Sequence, residues 1–304
     1  MKQRNQTAIL AIILLFLALL VTGAAKTPSM PALEMHPFFY LAWGSEGSGD
    51  GQFDLPYGIA VDSHSNVYVV DYRNHRIQKF DTDGVFVTEW GNFGNGDGEF
   101  NTPHSVAVDS NGNVYVADSN NLRIQKFDSN GVYISQWGSP GNGDGQFVTP
   151  LGVTVDNNGN VYVAEYNNHR IQKFDSDGAF LAKWGTFGNG DGEFHSPYDV
   201  AVDSSGYVYV ADTGNYRIQK FDSNGVFIAK WGAQSNEDGQ FVAPRSVAVD
   251  SSGYVYVADH YRIQKFDSNG ALVTKWGSLG SANSQFQAPH GLALDGNSNR
   301  HYAD

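Results

Sequence analysis

The most constraining feature of the sequence is a stretch that recurs at a fixed interval. One copy runs from Phe100 to Gln146, and a half copy begins at Phe286; the other copies begin at Phe53, Phe147, Phe194 and Phe241. Tryptophans mark the period, since five are spaced 47 residues apart and the sixth follows after 45: Trp43, Trp90, Trp137, Trp184, Trp231 and Trp276. A period of this length is typical of solenoids, propellers and repeat arrays.

Four short apolar runs in each copy decide between these architectures. In the copy that begins at Phe100 they are Ser105–Asp109, Asn113–Ala117, Arg123–Asp128 and Val132–Trp137. The runs are rich in β-branched and aromatic residues, which favour strands, and Asn-Gly in the turns favours tight hairpins. Four antiparallel strands per copy are typical of a propeller blade, so the sequence predicts one all-β propeller domain over residues 26–304.

The two ends of the chain predict how the ring closes. The last copy stops at residues 301–304 and supplies two strands of a sixth blade. Ser29–Glu34 and Phe39–Trp43 align with the third and fourth strands of the other copies, although Pro31 weakens the first of them. We therefore expect a complete chain and a six-bladed ring of four-stranded antiparallel blades, closed by two N-terminal plus two C-terminal strands.

The repeat motif resembles that of a known family. D-x-x-N-[HLY]-R-I-Q-K-F occurs at Asp71–Phe80, Asp118–Phe127 and Asp212–Phe221, and Glu165 opens a further copy at Glu165–Phe174. Together with P-x-x-[VI]-[AT]-V-D, this motif looks like that of the NHL-repeat family, which implies a six-bladed β-propeller. The fifth copy departs from the motif at Asp259–Arg262, where two residues including the Asn are missing, and this implies a shortened loop on one blade.

Residues 1–25 are typical of an export signal. Lys2 and Arg4 precede an apolar run from Ala8 to Val21, and small residues end at Ala25. This pattern predicts a signal peptide cleaved after Ala25; the alternative is an uncleaved membrane tether through residues 7–25. Either way the body lies outside the cytoplasm, because the positive end stays inside. We expect an extracellular or cell-surface protein.

Composition narrows the choice of partners. The formal net charge is −13, and the chain has no cysteine. An acidic body argues against binding to the phosphates of nucleic acid, and the lack of cysteine excludes disulfides and thiolate metal sites. Eukaryotic NHL relatives regulate RNA or ubiquitin transfer, but RNA-binding members use a basic face and ligase members carry cysteine-rich zinc domains. We therefore expect neither nucleic acid nor ubiquitin machinery as a partner.

Residues that are identical in every copy are interpreted as structural, because equal blades meet the same packing problem. Arg123 follows Asp118 by five residues across a hairpin, and an equivalent arginine and acid recur in the other copies. We expect bidentate Arg–carboxylate pairs that join the second strand of each blade to the third. The lysines at the position of Lys79 are expected to be solvated or paired in a similar way.

Candidate functional residues lie where the copies differ. Directly after the proline that opens each innermost strand come Tyr57, His104, Leu151, Tyr198, Arg245 and His290, and the next ring is Gly58, Ser105, Gly152, Asp199, Ser246 and Gly291. Innermost strands surround the central channel, so these residues should rim one mouth, where ligand sites of closed β architectures lie. The predicted ligand-binding residues are Tyr57, His104, Tyr198, Asp199, Arg245 and His290.

A second variable set lies in the loops between strands two and three. Its aromatic and histidine side chains suit a protein or glycan contact, although drift of exposed loops explains the variation equally well. Its members are Tyr72, Arg73, His75, Ser119, Leu122, Tyr166, His169, Tyr216, His260 and Tyr261.

Two kinds of metal site are alternatives. Asn95–Glu99 and Asn189–Glu193 carry oxygen ligands on alternate residues, as calcium loops do, but turns favour the same residue types. Pro103–Val108 is similar to a metal-ligand segment of the peptidylglycine amidating lyases, and His104 with His290 would begin a zinc site that lacks a third neutral ligand. We therefore predict no catalytic residue and no cofactor, with a metal-dependent lyase or hydrolase as the alternative. The expected function is non-catalytic binding of a protein, peptide or glycan.

Overall fold

The computed structural model describes residues 41–296 and 298–304, and in this part of the chain each full copy of the repeat forms one four-stranded antiparallel sheet. A short parallel pair comes first, β1 (Ser45–Glu46) with β2 (Gln52–Phe53). The innermost strands are β3 (Pro56–Val61), β7 (Pro103–Val108), β11 (Pro150–Val155), β15 (Pro197–Val202), β19 (Pro244–Val249) and β23 (Gly291–Leu294). The second strands are β4 (Val67–Asp71), β8 (Val114–Asp118), β12 (Val161–Glu165), β16 (Val208–Asp212), β20 (Val255–Asp259) and β24 (Arg300–Ala303).

The outer half of each blade follows in the same order. The third strands are β5 (Arg76–Phe80), β9 (Arg123–Phe127), β13 (Arg170–Phe174), β17 (Arg217–Phe221) and β21 (Arg262–Phe266). The fourth strands are β6 (Phe86–Trp90), β10 (Tyr133–Trp137), β14 (Phe180–Trp184), β18 (Phe227–Trp231) and β22 (Leu272–Trp276). Two 3-10 helices, Ser119–Asn121 and Thr213–Asn215, occupy loops between second and third strands. The prediction of an all-β propeller of four-stranded blades is confirmed.

The structure describes five complete blades, not six. At the sixth place it has the two-stranded sheet β23–β24, and β23 packs against β19 on one side and β3 on the other. The predicted third strand, Ser29–Glu34, lies outside the described residues, as do the first two residues of the predicted fourth strand, and residues 41–43 form no strand. The prediction of six blades is therefore not confirmed, because the described residues form only two strands of a sixth blade.

The apolar core lies between neighbouring blades rather than at the centre of the ring. Phe100 and Phe127 are fully buried with their ring centroids 5.6 Å apart, and Trp90 of the preceding blade packs on Phe127. Gly131, in the turn before β10, has a φ of +83°, and an added Cβ would lie 2.5 Å from the Trp90 ring. The Asn-Gly turn thus serves both the hairpin and the contact between blades.

A buried polar network also repeats in each blade. Arg123 donates from Nε to Asp118 at 2.8 Å, as predicted, but the pair is not bidentate. The other guanidinium hydrogens go to Gln136 and to backbone carbonyls of the crossover loop that enters the blade, those of Asn95, Gly96 and Glu99. Equivalent pairs join Arg76 to Asp71, Arg170 to Glu165, Arg217 to Asp212 and Arg262 to Asp259. Each arginine therefore ties two strands and a loop together.

Lysines link one blade to the next, which differs from the expected solvated or acid-paired role. Lys126 is 8% exposed, and its Nζ donates to the carbonyl of Ser176 in the following blade at 2.8 Å. Its ammonium also lies 5.4 Å from the centroid of the Tyr115 ring, an attractive cation–π arrangement. Lys79 donates to Ser129 of the next blade in the same way.

The fifth blade has the shortened loop that the sequence predicted. Asp259 pairs directly with Arg262 in the β20–β21 register, so His260 and Tyr261 alone make the turn. His260 takes a positive φ of 59°, which such a tight turn requires.

In the part of the chain that the structure describes, no helix has the length and apolar character needed to span a membrane.

Candidate functional site at one mouth of the channel

A central channel runs between the innermost strands. Its cavity has a volume of about 200 Å³ and is lined by β3, β7, β11, β15, β19 and β23. One end carries an aliphatic ring, whose members are Val61, Val108, Val155, Val202, Val249 and Leu294. The residues predicted to bind ligand all line the same cavity, and five of them, here called the mouth residues, lie at the opposite end: Tyr57, His104, Tyr198, Arg245 and His290.

Tyr57 is the centre of an aromatic cluster in the mouth. Its ring stacks on that of His290 with centroids 4.1 Å apart and planes at 29°. On the other side it contacts His104 at 4.8 Å, because the first blade lies between the last and the second. The Tyr72 ring also contacts the Tyr57 ring, with the two centroids 4.6 Å apart. The mouth therefore presents a continuous wall of flat rings.

Two polar contacts cross between blades in the mouth. The hydroxyl of Tyr198 lies 3.1 Å from Nε2 of His104, which spans from the fourth blade to the second. Nη1 of Arg245 lies 3.1 Å from Nε2 and 3.4 Å from Nδ1 of His290 in the adjacent blade. Both histidines thus contact polar groups of the protein itself.

Burial and the arginine set the charge of the mouth. Burial, together with His290, lowers the pKa of His104 to about 3, and a backbone hydrogen bond to Leu151 opposes the shift. Burial and the neighbouring Arg245 cation lower the pKa of His290 to about 4. Burial raises the pKa of Tyr57, and Tyr72 adds to the effect. Near neutral pH the mouth residues therefore carry a single formal charge, that of Arg245.

Asp199, the sixth predicted ligand-binding residue, lies one ring further in and is engaged by the protein. Its Oδ2 accepts from Ser246 Oγ at 2.8 Å and from the amide of Val247 at 3.0 Å, and its Oδ1 accepts from the amide of Val200. Burial raises its pKa to about 6 in spite of these donors. These bonds to Ser246 and Val247 join the fourth blade to the fifth. The role of Asp199 in ligand binding stays a prediction.

The other residues of the second ring also make close contacts with the following blade. The sequence did not reveal these contacts. Ser105 accepts from the amide of Val153, and Ser246 accepts from that of Leu292, each in the following blade. Glycine stands where the following blade approaches too closely for a side chain. An added Cβ on Gly152 would lie 2.7 Å from the Cα of Asp199.

The second variable set divides between two places. Tyr72 and Tyr166 join the mouth, the latter through a contact of 6.2 Å with Tyr198. The sequence placed these two tyrosines in a separate set of loops, although strand pairing accounts for the place of Tyr72. Pro56 pairs with Asp71, so Tyr72 lies opposite Leu55 and diagonally across the strand pair from Tyr57. The histidines of this set, His75 and His169, instead accept from the backbone amides of Thr102 and Ser196.

The oxygen atoms proposed as calcium ligands already accept hydrogen bonds from the protein. In the loop Asn95–Glu99, three carbonyls already accept from the guanidinium of Arg123, and the Glu99 carboxylate accepts from the amide of Gly96. Across residues 41–296 and 298–304, no group of three or more His, Cys, Asp or Glu side chains has the arrangement of a metal site. Calcium and zinc binding stay alternatives that metal content must decide.

Comparison with known proteins agrees with the repeat. The NHL repeat matches residues 53–80, 100–127, 147–174 and 194–221. The chain is 50% identical over 48 residues to Protein lin-41 of Caenorhabditis elegans, covering 16% of this chain and 4% of that protein. It is 44% identical over 46 residues to E3 ubiquitin-protein ligase TRIM71 of Rattus norvegicus, covering 15% and 5%. The chain thus matches less than a tenth of the length of these relatives.

Solved structures share the fold at low sequence identity. A gluconolactonase from Xanthomonas campestris aligns with a TM-score of 0.61 and 16% identity, over 82% of each chain. A streptogramin B lyase aligns with a TM-score of 0.60 and 16% identity, over 82% of this chain and 90% of that one. A chain of a nidogen/laminin complex gives 0.55 and 19%, over 72% and 79%. With the four matched segments and the blades described above, the chain contains NHL repeats and is built as a β-propeller.

Proposed function

We propose that this chain is an exported propeller whose channel mouth is a non-catalytic binding or scaffold module for a protein, peptide or glycan at the cell surface. The observation that carries the proposal is the contrast between repeated and varied residues. The arginine and lysine networks recur from blade to blade, whereas the mouth places Tyr57, His104, Tyr198, Arg245 and His290 together. Side chains that differ between otherwise equal blades are free to serve recognition.

The chemistry of the mouth suits recognition. Tyrosine and arginine are enriched where proteins contact partners, because they offer large rigid surfaces and several donors. Stacking of Tyr57 on His290 at 4.1 Å and the bond between His104 and Tyr198 hold these rings in place before a ligand arrives. A preformed surface loses less conformational entropy on binding.

Binding is favoured over catalysis by the state of the two histidines. A pKa of about 3 makes His104 a weak general base near neutral pH. His290 would be a poor ligand for a metal cation, because the Arg245 guanidinium lies 3.1 Å from its Nε2 and like charges repel. These contacts support a mouth that holds a ligand rather than one that transforms it.

Export and closure of the ring extend the proposal beyond the described residues. The positive residues Lys2 and Arg4 ahead of the apolar run support a signal or tether. The Trp43 ring lies 5.8 Å from that of Phe80, close to the 5.9 Å between Trp90 and Phe127. This likeness supports a sixth blade completed by N-terminal strands. Cell fractionation and the mass of the mature N-terminus test export; recovery in the cytoplasm would refute it.

Peptide and glycan arrays probed with the full-length protein test the binding function. A bound class should lose at least about tenfold in affinity in Tyr57→Ala, because stacked aromatic contacts dominate such surfaces. Lys183→Gln is the matched control, since Lys183 pairs with Asp144 on an exposed outer strand. Equal binding by Tyr57→Ala and the wild type would show that the mouth is not the site.

A metal-dependent lyase or hydrolase is the second candidate, favoured by the two mouth histidines. Metal content of the purified protein, measured by plasma mass spectrometry after dialysis, separates the two. About one equivalent of zinc that is lost in a His104→Ala, His290→Ala double variant would replace the binding proposal with the enzymatic one. Stoichiometric calcium that survives in this variant would point to the acidic loops instead.

A further inference from the structure

Among the described residues that line the cavity, Arg245 is the one arginine. The arginines of the blade network pair with acids, Arg73 pairs with Asp54, and Arg300, which does not line the cavity, lies over the Trp276 ring at 5.0 Å. Within residues 41–296 and 298–304 Arg245 forms no ion pair, and its hydrogen bonds go to His290. Arg245 is half-buried, and buried charges are usually paired, so an arginine without an ion pair in an acidic chain leaves an anion to be supplied from outside.

The one carboxylate among the residues that line the cavity does not supply it. Both oxygens of Asp199 accept from the protein, from the amides of Val200 and Val247 and from Ser246. The guanidinium of Arg245 has five N–H donors, and only Nη1 is directed at His290. Donors therefore remain for an incoming group.

Size and shape restrict the ligand. The cavity has a volume of about 200 Å³. An engineered apolar cavity of roughly 150 Å³ is large enough to bind benzene, so a single aromatic ring sets the scale of what the channel can hold. The stacked pair of Tyr57 and His290 lies beside the arginine and forms an aromatic wall of the mouth. A small molecule, or the tip of a larger one, fits when it has a flat apolar body attached to the charged group.

Charge restricts the anion itself. The mouth holds a single cation, and Asp199 lies one ring further in within a chain of net charge −13. A dianion such as phosphate would bring more negative charge than Arg245 can balance. A carboxylate carries one charge, and its two oxygens match the planar fork of a guanidinium.

We propose that the channel mouth binds a small organic monocarboxylate with a planar apolar body, through a charge-assisted contact of its carboxylate with Arg245 and packing of the planar body against the aromatic rings of the mouth. The inference rests on the proposed binding function and names the chemical class of its ligand. It involves no chemical step.

Titration calorimetry of the full-length protein with benzoate tests it, with benzamide as the neutral isostere and inorganic phosphate as the competing anion. Benzoate should bind, and benzamide should bind at least about tenfold more weakly, because its amide has no negative charge and offers one acceptor oxygen where the carboxylate offers two. Arg245→Gln should weaken benzoate by a similar factor, whereas Lys183→Gln, which removes the same charge from the outer surface, should not. Should Arg245→Gln lower the melting temperature, Arg245→Lys replaces it and should also weaken benzoate.

Each other outcome overturns the proposal in a distinct way. Equal affinity for benzoate and benzamide, or unchanged benzoate affinity in Arg245→Gln, would remove the carboxylate contact. If phosphate bound more tightly than benzoate, the ligand class would be an inorganic anion rather than an organic monocarboxylate. If benzoate does not bind while an array ligand binds in a manner that depends on Tyr57, the carboxylate proposal fails and the binding function stands. If neither binds, both fail.

Discussion

Replacement of Arg123 by methionine tests the structural role of the repeated arginine. Arg123 is 7% exposed, and Asp118 is fully buried. Methionine retains an apolar stem but leaves this carboxylate without its cation, and it leaves three backbone carbonyls of the crossover loop without a donor. Removal of one partner of a buried ion pair costs about 3–5 kcal/mol, so we expect a loss of that size in the free energy of unfolding.

Urea denaturation followed by tryptophan fluorescence measures the effect, and calorimetry should show a fall of roughly 5–9 °C in the melting temperature. Lys183→Met is the control, because the exposed Lys183–Asp144 pair should contribute no more than about 1 kcal/mol. The double variant Asp118→Leu, Arg123→Met should recover part of the loss, since no unpaired charge remains. A cost below about 1 kcal/mol for Arg123→Met, or a double variant with no recovery, would refute the reasoning.

Three further predictions follow from the contacts. Gly152→Ala should lower unfolding free energy by about 1–3 kcal/mol in urea titrations, since its Cβ meets backbone 2.7 Å away, whereas Gly296→Ala, with open space around it, should not. The pKa of His104 is lowered from 6.5 in the unfolded chain to about 3 in the folded protein. Its contribution to the free energy of unfolding is therefore complete above pH 6.5 and is lost as the pH falls below that value. The wild type should lose about 2 kcal/mol through this group between about pH 7.5 and pH 5, and His104→Gln, unlike the exposed His64→Gln, should remove that part. Trp43→Ala should cost about 2 kcal/mol by thermal melting if N-terminal strands complete the sixth blade.

The fold could be predicted because its causes are local and repeated. Asn130-Gly131 and its equivalents set the hairpins, and the period sets the blades. The pairing of Arg123 with Asp118 was also within reach, because a hairpin places them opposite each other. The remaining donors of Arg123 were not, since their carbonyl partners lie 24 to 28 residues earlier and approach only when the crossover loop packs.

One repeated residue was overlooked although its signal was present. Gln125 is fully buried, donates to the carbonyl of Glu99 and accepts from the amide of Gly98. Its equivalents, Gln78, Gln172, Gln219 and Gln264, stand in every full copy and are as deeply buried. An uncharged polar residue that never varies among apolar neighbours indicates a hydrogen-bonded core position.

The position of the mouth residues could be predicted from topology, and their contacts only in part. Five of the six residues that follow a blade-opening proline reach the mouth, because the innermost strands all run the same way along the channel; Leu151 does not line the cavity. The role of Asp199 depends on the amide of Val247 in another blade, and no periodicity specifies such a contact. The depressed pKa of His104 likewise arises from burial that follows from assembly of the ring.

The residues of the second ring differ in size from blade to blade, and the space at each position depends on the blade that follows. Five nearly identical blades could pair out of order during folding, since their arginine, lysine and aromatic contacts are interchangeable. Asp199 cannot stand in another blade's place without a glycine such as Gly152 before it and a serine such as Ser246 after it. A chain that skipped the blade of Gly152 would place Ser105 directly before Asp199, where the native glycine leaves room for backbone alone. The residues that vary in this ring therefore disfavour this wrong order of blades, a form of selection against wrong partners within one molecule.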